Sequence, residues 1–63
     1  MSLDKGDRFI QKRSGRQVVV LDPDYEDGMV SFYYVDHGPS DWFYCTVEEV
    51  VVFNGYERAG VGL

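Results

Sequence analysis

Cysteine occurs once, at Cys45, so no intrachain disulfide can staple this chain. Histidine also occurs once, at His37, and one Cys with one His cannot build a Cys/His zinc site. The usual props of a very small domain are therefore missing. Its 63 residues must be held by packing, alone or with a partner. Long apolar runs are missing too, and nothing approaches the ~18 residues of a spanning helix. The first eight residues are polar and carry no signal-peptide core. Together with the lone thiol this leads to the expectation of a cytoplasmic, reducing location without membrane contact. No helical spacing of apolar residues persists for long. No phosphate-cradling glycine loop is present, since Gly60-x-Gly62 has no helix behind it. No cofactor and no metal is expected.

Positive charge is scarce and unevenly placed. Six Lys and Arg stand against eleven Asp and Glu, a net charge of -5. Within residues 1–16, five cations (Lys5, Arg8, Lys12, Arg13, Arg16) face two acids, giving +3. In residues 17–63, Arg58 alone faces nine acids, giving -8. The pattern implies a basic N-terminal hairpin on an acidic body, which bears on association rather than fold.

What is abundant is strand-forming residues in short runs between turn residues. The runs are Asp7–Arg13, Arg16–Leu21, Met29–Asp36, Asp41–Val47 and, after a short turn at Thr46–Glu49, Val50–Phe53. Asp22–Gly28, rich in Asp, Pro and Gly, reads as a loop. The fold class expected is all-β: a small five-stranded antiparallel barrel with one helical turn before the last strand. Residues 1–53 would form it and residues 54–63 a flexible C-terminal tail. Placing Asp36 opposite Asp41 aligns Tyr34 with Phe43, Phe32 with Cys45 and Val30 with Val47 on one apolar face. Pairing Leu21 with Met29 and turning at Ser14-Gly15 adds Val18, Val20 and Phe9. The expected core is Phe9, Val18, Val20, Val30, Phe32, Tyr34, Phe43, Cys45 and Val47.

Lys-Gly-Asp-Arg-Phe at 5–9, Gly-Arg-Gln-Val-Val-Val-Leu at 15–21 and Val-Ser-Phe at 30–32 resemble the openings of KOW- and Tudor-type SH3-like barrels. Many very short bacteriophage and prophage proteins share this pattern. Val35-Asp36-His37-Gly38 is similar to the Tudor segment after the third strand, with His37 where Tudor usually has tyrosine. The resemblance covers about 5–53, and it implies an SH3-like barrel that works as a binding module.

Ten aromatic residues exceed what one small core can hold. The register leaves Tyr33, Val35, Trp42 and Tyr44 on the outer face, either as sheet cover or as a surface for a protein partner or a second copy. Lys12, Arg13 and Arg16 crowd the Ser14-Gly15 turn and form a candidate phosphate grip. The order Asp22-x-Asp24-x-Glu26-x-Gly28 partly matches a calcium loop but lacks its distal glutamate, so a solvated turn is the reading preferred. Asp36, His37, Ser40 and Asp41 cluster on a hairpin tip without pocket walls, and Cys45 points inward, so the chain is not expected to be an enzyme. The leading expectation is a non-catalytic module that regulates or inhibits a partner protein through its aromatic face and acidic surface. The rival is a nucleic-acid binder using the basic hairpin. Aromatics beside the basic tip would favour the rival, because stacking and phosphate contacts act together.

Overall fold

Alternation of apolar and polar residues produces five strands in the computed structural model, which describes residues 3–59. They are β1 (Arg8–Gln11), β2 (Arg16–Glu26), β3 (Met29–Tyr34), β4 (Trp42–Thr46) and β5 (Tyr56–Arg58), with a short helix α1 (Val47–Val51) before the last strand. They form one antiparallel sheet in the order β4-β3-β2-β1-β5. Two strands intervene between β3 and β5, a separation of ~14 Å in a flat sheet. Yet the rings of Phe32 on β3 and Tyr56 on β5 stack with centroids 5.0 Å apart. The sheet therefore curls over a single core, and its two edge strands approach each other.

That core contains Phe9, Val18, Val20, Val30, Phe32, Val50 and Tyr56, with Leu3, Tyr34, Phe43, Cys45 and Val47 packed against it. Of the nine residues expected inside, Phe9, Val18, Val20, Val30 and Phe32 are buried in the core, and Tyr34, Phe43, Cys45 and Val47 pack against it half-buried. The pairings nonetheless differ from expectation by two residues at each hairpin. Phe9 lies opposite Val18 rather than Val20, Val20 opposite Phe32 rather than Val30, and Phe32 opposite Phe43 rather than Cys45. A slip of two restores every side chain to its own face, so face assignments survive where partners do not.

The turns explain the slips. A two-residue turn at Ser14-Gly15 would set Arg13 directly against Arg16. Instead Gln11 pairs with Arg16, and its carbonyl accepts from both Ser14 and Gly15 across a wider loop. Gly15 sits at φ 73°, where a side chain is strained. At the second hairpin Glu26 pairs with Met29, leaving only Asp27-Gly28 in the turn, with Gly28 at φ 76°. The reading of Asp22–Gly28 as a loop is thus corrected. β2 continues to Glu26 through irregular register after Val20, where Pro23 is tolerated because regular pairing has lapsed.

The expected fifth strand at Val50–Phe53 is also corrected. Thr46 caps a helix there, its hydroxyl accepting from the backbone of Glu49, with Glu48 and Glu49 in the positive first turn. Thr46-x-x-Glu49 is a helix-start pattern that the run of valines obscured. The closing strand lies instead at Tyr56–Arg58, inside what reads as a flexible tail, paired with β1. The rest of that expected tail, residues 60–63, lies outside the described residues.

Tyr56 carries a testable consequence. Burial pushes its phenol up to about 12, although Gln11 donates a hydrogen bond to it. In the unfolded chain a tyrosine ionises near pH ~10. Between those values the unfolded state loses a proton that the folded state keeps, so stability falls as pH rises. Urea midpoints should therefore drop between about pH 10 and 12 in the parent, and drop less in Tyr56→Phe. Equal slopes in the two proteins would mean that this phenol is not protected by the fold.

Candidate functional site

The outer face of β2, β3 and β4 gathers a group of aromatic rings that the core does not use. The Tyr25 ring lies 5.2 Å from that of Trp42 and 5.3 Å from that of Tyr44, and Trp42 and Tyr44 are 6.5 Å apart. The three form a mutual cluster that stays open to solvent, with Trp42 44% and Tyr44 55% exposed. Tyr33 sits opposite Trp42 in the register and is half-buried, while Val35 is exposed just beyond the end of β3. The structure thus keeps all four expected residues off the core and adds Tyr25.

Tyr25 escaped the sequence reading because its segment read as a loop. Its signal is the alternation Leu21-x-Pro23-x-Tyr25, half-buried at each named position and exposed between them. Continuing β2 places those three residues beside Trp42. Together with Lys5, Asp22 and Ser31 they line an open groove of about 410 Å³. Asp22 and Asp24 are held in a local turn in which the Asp22 carboxylate accepts from the Asp24 backbone at 3.0 Å. Four acids, Asp22, Asp24, Glu26 and Asp27, are all exposed in the segment that carries Tyr25.

The basic tip is divided. Lys12 and Arg13 line a second groove, of about 510 Å³, with Gln11, Phe43, Tyr44, Cys45, Thr46, Glu49, Gly55 and Tyr56. Arg16 is committed elsewhere. Its guanidinium lies 3.8 Å above the Tyr34 ring, donates to Asp36 at 3.0 Å and reaches His37 Nε2 at 3.3 Å. That contact holds the Asp36 carboxyl below the usual carboxylate range. The other His37 nitrogen faces Asp41 at 3.1 Å, so both ring nitrogens are engaged in an exposed surface network. Cys45 is partly buried in the floor of the second groove, where burial pushes its thiol up.

The two grooves flank β4, and the aromatics are shared between them. Trp42 borders the groove with Asp22, and Tyr44 borders the one with Lys12 and Arg13. A further exposed apolar group follows from the helix at 47–51: Val52 and Phe53 are 65% and 68% exposed, where a barrel-closing strand would have buried one of them. No family model, curated protein or solved structure matches the chain. Among the described residues no helix is long and apolar enough to cross a membrane.

Proposed function

We propose that this chain is a small non-catalytic SH3-like module that binds a basic, extended segment of a partner protein and so regulates or inhibits that partner. The observation that carries this reading is the Tyr25–Trp42–Tyr44 cluster, solvent-open and set beside Asp22 and Asp24. Aromatic rings rimmed by carboxylates suit cations on apolar stems and proline-rich segments. The rings offer π faces and flat contact area, and the acids steer positive charge. The reading as a regulator or inhibitor follows the resemblance of its strand openings to very short phage proteins.

A fluorescent peptide of alternating lysine and proline tests the reading. It should bind, and a glutamate–proline peptide should not. Trp42→Ala with Tyr25→Ala should abolish binding while leaving the fold intact, since neither side chain belongs to the core. Neutralising Asp22, Asp24 and Asp27 to Asn should weaken binding at least ~tenfold, and Lys12→Ala with Arg13→Ala should not. Single-stranded DNA should bind no better than the ~10⁻⁴–10⁻⁶ M of non-specific contacts. Tight, salt-sensitive DNA binding that depends on Arg13 would replace this reading with the nucleic-acid one.

A further inference from the structure

We infer that the seam between β4 and the β1–β5 end of the sheet is a second docking site, one that adds an acidic, extended segment of a partner protein as a strand on β4. It adjoins the Tyr25–Trp42 groove across β4, with Tyr44 between the two, but it does not rest on the function proposed for that groove.

The first observation is the edge. Among the described residues β4 pairs only with β3, so half of its backbone N–H and C=O groups point away from the sheet. Edge strands are normally blunted by charge, proline or shortness. The other edge follows that rule: β5 has three residues, two of them the exposed Glu57 and Arg58. β4 does not. Its sequence, Trp-Phe-Tyr-Cys-Thr, has neither a charge nor a proline over five residues. Such an edge is a template for an incoming strand.

The second observation is the shape of the space alongside it. The groove of about 510 Å³ runs from Phe43–Thr46 on β4 to Gln11 and Tyr56 on the opposite side. Phe43, Cys45 and Tyr56 in its lining offer largely apolar side chains to the inward residues of an added strand. An isolated pairing strand alternates its side chains, so the others would face outward.

The third observation fixes the charge of the occupant. Lys12 and Arg13 border this groove, both exposed, and neither side chain has an ion pair or hydrogen bond among the described residues. Only Glu49 opposes them, and its carboxylate packs against Gly55 on the helix side. On a chain of net charge -5, two unpartnered cations at the mouth of an open edge favour carboxylates on the incoming segment. A nucleic acid fits less well, because this groove offers one exposed ring for stacking, Tyr44, and the surrounding acids repel a polyphosphate.

The test uses the whole chain and labelled ten-residue peptides of alternating glutamate and valine. The parent peptide should bind, and a lysine–valine peptide should bind at least ~tenfold more weakly. Methylating alternate backbone nitrogens on the glutamate–valine peptide keeps its charge but removes donors to β4, and should also cost at least ~tenfold. Lys12→Ala with Arg13→Ala should reduce affinity by a similar factor. The proposal is overturned by equal binding of the methylated peptide, which would leave charge alone. Indifference to Lys12 and Arg13 overturns it too, as does tighter binding of an oligothymidylate. Self-association of the free chain that displaces the peptide would assign the edge to a second copy instead.

Discussion

Phe32→Ala is expected to unfold the protein. Phe32 is fully buried at the centre of the curled sheet, and its ring meets Phe9 edge-on at 6.1 Å, Phe43 at 5.7 Å and Tyr56 at 5.0 Å. Three other strands thus meet at this one side chain. Truncating a buried phenylalanine costs about 3–5 kcal/mol, combining lost transfer energy with the cavity left behind. At ~0.05–0.15 kcal/mol per residue, a chain this short holds on the order of 3–9 kcal/mol in all, and the low end suits a domain with no disulfide. The amide spectrum of Phe32→Ala should collapse to the narrow dispersion of an unfolded chain, whereas Phe32→Leu should keep dispersed peaks and unfold at lower urea. A well-dispersed Phe32→Ala spectrum would show that the strands are held together elsewhere.

Replacing Gln11 by leucine should be the next most damaging change, through hydrogen bonding rather than volume. Gln11 is 2% exposed at the end of β1. Its Nε2 donates to the Tyr56 hydroxyl at 3.2 Å, and its Oε1 accepts from Ser14 Oγ at 2.6 Å and Tyr34 Oη at 3.2 Å. One side chain thereby ties the closing strand, the first turn and the end of β3 together. Leucine fills nearly the same space but leaves the buried Tyr56 hydroxyl without its donor, at ~1–3 kcal/mol, and loosens the Ser14 turn besides. Urea unfolding should show a loss of roughly 2–3 kcal/mol, with Gln11→Glu worse because it places a carboxylate beside buried phenols. If Gln11→Leu proves as stable as the parent, then packing and not the amide holds β5 to β1.

Gln11 also marks where sequence reading stopped. Glutamine is mostly found exposed, and only the closing Tyr56, with Tyr34 and Ser14, gives this buried amide its partners. Val50 and Tyr56 were hidden for a related reason. A run of valines carries strand propensity, but Thr46 and Glu49 satisfy the backbone ends of a helix locally, and that local satisfaction prevailed. Tyr25 was hidden because Asp, Pro and Gly around it signal a turn, and the strand persists past them only where its register has already been broken.

By itself the sequence determined the all-β class, the number of strands, the helical turn before the last of them, the inward facing of nine residues and the outward placing of Tyr33, Val35, Trp42 and Tyr44. These follow from alternation, and alternation depends only on parity, which a two-residue slip preserves. The tertiary structure decided the partners across each hairpin, the strand that closes the sheet, and the company that the exposed side chains keep. Tyr25 joined Trp42, Arg16 was drawn onto Tyr34 and away from Lys12 and Arg13, and β4 was left with an open edge. Those outcomes depend on turn geometry and on contacts between residues far apart in the chain, such as Gln11 with Tyr56, and short-range pattern carries no information about them.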